Sequence, residues 1–292
     1  MKILITGDKG FIATKLKEAL IVKGHDVFGY DIVDRLDLLD RDMLESSIEQ
    51  ADVVYHIAAE ADLGKMTKLD GAYNGVMANV QATHNVAYLC AKHNKWLIYA
   101  STVCVYGNQE VHPETEDTTL PNPSELYACS KYAAEWIVKG YSQNFGNPYT
   151  ILRFATIYGE GMRPALGMHI FITQALKGHP ITVHGNGLQD RTLTYIYDLV
   201  EGIIAPLEHH ESAQNQIFNL SSPEPISALK VALDVKKAIP ESTSEIVHIE
   251  QRDNQTFHED FSVTKAETHL NWKARTPWEE GLKKTIAWLQ KS

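Results

Sequence analysis

The first thirteen residues constrain the fold more than any other stretch of the chain. Residues 2–6, Lys-Ile-Leu-Ile-Thr, are a short apolar run with β-branched side chains, closed by Gly7. Apolar residues then recur at helical spacing over 11–23 and stop at Gly24, a helix-end signal. A buried strand that turns through glycine straight into a helix opens a β-α-β unit. The alternation continues, with strands expected at 26–30, 52–57, 96–100 and 149–154 and helices at 42–50, 75–94 and 124–145. Such a pattern predicts an α/β fold with a doubly wound parallel sheet and helices on both faces. After Tyr158 the pattern loosens, with loops at 159–167, 185–187 and 221–225. The expected division is a nucleotide-binding domain over 1–158, to which the chain returns around 190–220, and a smaller C-terminal substrate-binding lobe made mainly from 159–292.

The net charge of −10 disfavours nucleic acid or an anionic membrane as a general partner. An anionic substrate would need a local cluster of Arg or Lys. Cys90, Cys104 and Cys129 form no C-x-x-C pair, which argues against a disulfide framework or a zinc site, and no metal is expected. The apolar run at 3–5 is too short for a signal peptide, and no stretch approaches membrane-spanning length. A reducing cytoplasmic compartment is the expectation.

Gly7-x-x-Gly10-x-x-Ala13 sits at the first strand-to-helix turn. Gly7 permits the tight turn, Gly10 lets backbone approach a pyrophosphate, and Ala13 allows close helix–strand packing. The helix start at Phe11 and Ile12 then offers free N–H groups to the phosphates. A tight turn without ligand would carry the same glycines. Asp31, at the end of the second strand, stands where a ribose 2′-hydroxyl is read, and a carboxylate there repels a 2′-phosphate. NAD is therefore expected over NADP, although a strand-end aspartate in a turn would look alike.

Tyr127 and Lys131 are four residues apart, so they share one face of the expected helix. An ammonium beside a phenol would lower its pKa and make a base usable near neutrality. Thr102 adds a hydroxyl at the C-terminal end of a parallel strand, where such sheets hold ligands. An exposed lysine near a half-buried tyrosine is the bland alternative.

Taken together, these motifs resemble an extended short-chain dehydrogenase/reductase of the nucleotide-sugar epimerase/dehydratase type, with a Rossmann-type sheet, from end to end. The resemblance is carried by Thr6 to Ala13, Asp37-Leu-Leu-Asp, His56-Ile-Ala-Ala, Asn79-Val-Gln-Ala-Thr, Ser101 to Gly107, Tyr127 to Lys131, Leu152 to Gly159, Gly185 to Asp198 and Leu270-Asn-Trp. It implies that Asp37 and Leu38 contact the adenine ring. Ala58 and Ala59 would line the nicotinamide-side ribose and pyrophosphate, with Asn79 in the same cofactor set. Lys131 would also hold the nicotinamide ribose, and Arg191 and Arg252 the nucleotide diphosphate of a sugar nucleotide. Thr156 stands where the family has a substrate-contacting Asn, and Thr192 where an Asp follows the phosphate-binding Arg. The family's mode of pairing implies a homodimer built on the helices at 75–94 and 124–145, with Val86, Leu89, Ile137 and Val138 as contributors unless they face their own sheet.

The family's dehydratases and decarboxylases carry an acid where this chain has Val103 and Cys104, so both reactions are disfavoured. Two chemistries remain. In 4-epimerisation Tyr127, Lys131 and Thr102 would handle the proton of the sugar 4-hydroxyl. In 3,5-epimerisation, with or without reduction at C4, Cys104 and His169 would shuttle protons beside a 4-keto group. Cys104 could equally be a buried filler and His169 a surface residue. A non-catalytic NAD-binding regulatory module is the reading from a different class.

Overall fold

The computed structural model describes residues 1–119, 123, 125–251 and 257–291. β1 (Lys2–Thr6) turns into α1 (Phe11–Val22), which buries Ala13, Leu16 and Leu20. β2 (Asp26–Tyr30), α2 (Arg41–Gln50) and β3 (Val53–His56) follow. The Asp40 carboxylate caps α2 by accepting from the Met43 N–H at 3.0 Å, which satisfies a donor that the first turn leaves free.

The helix expected at 75–94 is longer and less regular than its periodicity suggests. α3 (Leu63–Met66) and α4 (Leu69–Val76) precede it, and a π-helical turn (Met77–Gln81) joins α4 to α5 (Ala82–Lys92). The extra residue of a π turn shifts the helical phase, which a search for one period cannot follow. β4 (Trp96–Thr102), α6 (Leu126–Phe145) and β5 (Tyr149–Phe154) complete the first run. Ser124, the expected start of α6, lies outside the described residues.

β6 (Thr156–Tyr158), α7 (Gly167–Leu176), β7 (Ile181–His184), β8 (Asp190–Tyr195) and α8 (Ile196–Glu208) come next. They lead to α9 (His210–Ala213), β9 (Gln216–Leu220), β10 (Pro225–Ser227) and α10 (Ala228–Ala238). β11 (Ile246–Ile249), α11 (Thr264–Leu270) and α12 (Trp278–Leu289) close the described chain.

The main sheet has the order β2-β1-β3-β4-β5-β9, every pair parallel. It is a Rossmann-like sheet with flanking helices. Strand order reverses between β1 and β3, and a ligand crevice opens at such a switch point. β4 and β5 are buried along their whole length, as strands covered by helices on both faces must be. Two small sheets, β10-β8-β6 and β11-β7, lie beyond it. One apolar core joins Ile3 and Ile5 of the main sheet to Tyr195, Val183 and Trp272. Val86, Leu89 and Val138, the candidate dimer contacts, are buried against the main sheet, and Ile137 packs on the same cluster. Among the described residues no helix is long and apolar enough to cross a membrane.

Candidate active site

A cleft of about 680 Å³ opens at the C-terminal ends of β1 to β5, within the size range of small-molecule sites. Gly7, Gly10, Phe11 and Ile12 line it together with Asp31, Asp37, Leu38, Ala58 and Ala59. Gly7 has φ +71°, and a Cβ there would sit 2.8 Å from Ala58 Cα. Only glycine meets both demands. Gly10 caps α1 without a side-chain acceptor for its first turn, so the leading N–H groups remain available to an anion.

The Asp31 carboxylate is fixed before any ligand arrives. Its oxygens accept from the backbone N–H groups of Lys9 at 3.0 Å and Val33 at 2.9 Å, and each retains a lone pair for a ribose hydroxyl. Lys9 Nζ faces away to Asp34 at 3.1 Å. Asp37 accepts from the Leu39 N–H at 2.9 Å, and its carbonyl takes the Tyr30 hydroxyl at 3.2 Å. A glycine cradle, an uncapped helix start and a pre-set carboxylate are the parts that an adenine dinucleotide needs, so these residues fit NAD.

Asn79 does not line this cleft. It is buried, with its amide oxygen accepting from Glu60 N–H at 2.8 Å and its amide nitrogen donating to Glu60 carbonyl and Ser130 hydroxyl, both at 3.0 Å. It clamps the wall after β3 to α6. His56 braces the same wall. Thr83 gives its proton to the Asn79 carbonyl, so His56 Nε2 donates to Thr83 and Nδ1 accepts from Thr6. Burial pushes the imidazole down to about 3, and a neutral ring with one donor and one acceptor is what this position requires.

Thr102, Tyr127 and Lys131 meet at the inner end of the cleft, with Thr156 beside them. Thr102 accepts from the Cys104 backbone N–H at 3.2 Å and pulls the Tyr127 phenol down from its raised value. The expected electrostatics need correction. Burial, reinforced by Cys104, pushes the Tyr127 phenol above its ordinary range, against the pull of Thr102. Lys131 does not offset this. Its ammonium lies 4.3 Å over the Tyr99 ring, and burial lowers it to about 7 despite Glu135 one turn on. A lysine so desolvated is a weaker cation than the spacing alone suggested.

Glu135 and Arg153 anchor this centre from below, and sequence reasoning gave neither a role. Arg153 Nε and one terminal nitrogen donate to the two Glu135 oxygens at 3.0 and 2.7 Å. Ser101 donates to Glu135 at 2.6 Å, and Arg153 reaches the Tyr106 hydroxyl at 2.9 Å. Bidentate pairing with additional donors is the condition under which a buried ion pair is tolerated. The network fixes the strand end that carries Thr102.

Beyond the cleft lining lies a second group of side chains. Cys104 is half-buried, and its thiol is pushed up to about 11 by burial and then by Glu259. Arg191 Nε pairs with Glu259 at 3.1 Å, and another of its nitrogens donates to the Asp190 carbonyl. Glu125 feels Arg191 and acts on both Cys104 and Tyr127. Sequence reasoning missed Glu259 and Glu125. Glu125 stands two residues before Tyr127, a position that could have drawn notice, whereas no motif marks Glu259. His169 is elsewhere: it meets Thr173 of its own helix and the Trp288 ring on α12. Nothing brings it to Cys104. Arg252 lies outside the described residues. Among the described residues no cluster of His, Cys, Asp or Glu could hold a metal ion.

The family model for the NAD-dependent epimerase/dehydratase family matches residues 3–221. The chain belongs to that family. Over its whole length it is also similar to relatives whose descriptions name different reactions. A UDP-N-acetyl-α-D-glucosaminuronate decarboxylase of Bacillus cytotoxicus is 32% identical, covering 98% of this chain and 97% of its own. A Bacillus subtilis protein described as an uncharacterised UDP-glucose epimerase is 31% identical over 99% of this chain and 98% of its own. The solved UDP-glucuronic acid 4-epimerase of Bacillus cereus, in complex with UDP-glucuronic acid and NAD, superposes with a TM-score of 0.91 at 28% identity. That match covers 100% of this chain and 99% of the other.

Proposed function

We propose that this protein is an NAD-dependent nucleotide-sugar 4-epimerase. The observation that carries the reading is the Thr102–Tyr127 hydroxyl pair at the inner end of the cofactor cleft, on a strand end whose next residues carry no acid. Val103 is buried and apolar, and the Cys104 thiol is held protonated. The proton handling that remains suits a carbinol rather than a leaving hydroxyl or a carbon acid. UDP-sugars are the first candidates for substrate, since related proteins bind them.

Gly7, Gly10 and the start of α1 would take the pyrophosphate, Asp31 the adenine ribose and Lys131 the nicotinamide ribose. Bound NAD would supply a hydride acceptor and donor for the sugar C4. Tyr127 removes the 4-hydroxyl proton and later returns it, with Thr102 holding the phenol in line. Loss of that proton accompanies oxidation at C4, and the 4-keto sugar must turn over in the pocket before reduction from the other face. The high pKa of the buried phenol means that it works as a base only when positive charge builds up next to it. Residues 159–292 would mainly form the lobe that holds the sugar nucleotide, with Arg191 on the diphosphate and Thr156 near the sugar.

Incubation with UDP-, GDP-, dTDP- and CDP-hexoses in deuterated water, read by NMR, tests the proposal. A C4 epimer without ring deuterium is expected, and Tyr127→Phe should lower its rate by about 10²–10⁴-fold. Deuterium at C3 or C5 would replace the reading with 3,5-epimerisation. NAD binding without conversion of any sugar would favour a regulatory module.

A further inference from the structure

Lys131 and Glu135 stand one turn apart on α6, the spacing at which an ammonium and a carboxylate ordinarily pair. Both are buried, yet they do not pair. Glu135 is taken up elsewhere. Its Oε1 accepts from Ser101 at 2.6 Å and from Arg153 Nε at 3.0 Å, and its Oε2 from a terminal Arg153 nitrogen at 2.7 Å. A guanidinium fork matches both carboxylate oxygens at once, which a single ammonium cannot do. The Lys131 ammonium lies instead over the Tyr99 ring, 4.3 Å from its centre.

The neighbouring groups leave this contact to the ring alone. Tyr99 is fully buried on β4, two residues before Ser101, so both side chains project from the same face of the strand. Burial pushes the Tyr99 phenol well above its ordinary range, and Glu135 and Tyr127 add to this. The ring is therefore neutral, and it attracts a cation through its π face rather than as a phenolate. His56 of β3, 5.7 Å from Tyr99, is neutral as well. On β5 the Arg153 charge is matched by Glu135. Lys131 lines the cleft with Tyr127 and Thr102. A ring face covers one side of an ammonium and leaves N–H groups for the cleft, whereas a carboxylate partner would take up its donors and its charge.

We infer that Tyr99 is a positioning residue for Lys131: its ring face seats the ammonium at the inner end of the cleft and keeps N–H groups free for the ribose hydroxyls of the cofactor. The inference rests on the proposed ribose contact of Lys131 and names what holds that contact in place. Arg153 serves the same end by keeping Glu135 occupied. The low value of about 7 that burial gives Lys131 agrees with such a seat, because a ring offsets less desolvation than a full ion pair would.

The test follows the Lys131 side chain by NMR in the full chain labelled with carbon-13 lysine, its signal assigned by its loss in Lys131→Met. The ring current above an aromatic face should move the ε-methylene protons of wild-type Lys131 upfield of their ordinary position, with NAD and without it. Tyr99→Phe keeps the face and should keep this shift, with NAD affinity within about twofold of wild type. Tyr99→Leu removes the face. The signal should then return to its ordinary position, the Lys131 titration should fall by about one unit, and NAD should bind about fivefold or more weakly. An ordinary position in the wild-type protein overturns the inference without any variant. A Tyr99→Phe protein as impaired as Tyr99→Leu overturns it too, as does an unchanged Lys131 titration in folded Tyr99→Leu. If Tyr99→Leu does not fold, the wild-type shift and Tyr99→Phe decide. A Tyr99→Leu protein whose signal moves while its NAD affinity stays would instead defeat the ribose contact of the proposed function and leave the seat standing.

Discussion

The two halves of the cleft are made in different ways. At the cofactor end the recognition surface is largely backbone: a glycine turn, a helix start, and a carboxylate locked by two N–H groups. At the proposed sugar end it would be side chains, drawn from β4, α6 and β8. The backbone surface is rigid because its geometry is the geometry of the β1–α1 unit. The side-chain surface depends on ion pairs whose members come from distant parts of the chain. One fold can therefore keep its cofactor while it changes its sugar, as relatives with decarboxylase and epimerase names already suggest.

The sharpest way to break this contrast is at Gly7. Gly7→Ala forces a left-handed φ on an L-residue and pushes a Cβ to within 2.8 Å of Ala58 Cα. The conformational part alone costs about 1–2 kcal/mol, and the turn must move away from the pyrophosphate. NAD affinity should fall by more than tenfold, with a lower melting temperature, in titrations followed by tryptophan fluorescence. A substitution of similar size at the sugar end should leave NAD affinity unchanged. If Gly7→Ala binds NAD normally, the cofactor end is not backbone-limited and the contrast fails.

Lys131 sits where the two halves meet, and it should show opposite effects on activity and stability. The ordinary lysine value of 10.5 falls to about 7 here in the fold. Between those values the unfolded chain binds a proton that the native protein does not, so this group makes stability rise with pH across that window. Lys131→Met removes the cost of burying the charge. In protein stripped of NAD the melting temperature should rise, by about 2–4 °C for each kcal/mol recovered. The gain should be largest at pH 7 and below and shrink toward pH 10. Turnover should fall by about 10²-fold or more. A variant that is less stable at pH 6 would show that Lys131 holds the fold together in its charged form.

How much of this was legible in the sequence follows the same line. Gly7, Gly10 and Asp31 could be read because turn, helix start and strand end follow one another within a few dozen residues, and each demands a particular residue type. The pairing of Tyr127 with Lys131 could be read as a shared helix face, but its electrostatics could not. Spacing says nothing of burial, and burial is what raises the phenol and lowers the amine. Asn79 shows a different limit: the resemblance implied a place in the cofactor set, whereas the π turn aims its amide at Glu60 and Ser130. Glu259 was invisible because it reaches Arg191 only after the 257–259 stretch lays itself along β8. His169 looked plausible by position, yet α7 turns it toward Trp288.

The smallest expected effect is the most discriminating. Cys104→Ser keeps the size and a hydrogen-bonding hydrogen but exchanges a thiol for a hydroxyl. A thiol held near 11 is protonated at neutral pH, so it gives little thiolate for proton abstraction, and His169 is turned toward Trp288. If the site epimerises at C4, kcat for Cys104→Ser should stay within about threefold of wild type, the range of ordinary surface-level perturbations. KM is the parameter more exposed to change, because the Cys104 backbone N–H donates to Thr102, which lines the cleft. A loss of about 10²-fold or more in kcat would mean that the thiol carries a proton in the reaction. The C3 and C5 chemistry would then return as the main reading, with Glu259 rather than His169 as the partner of Cys104.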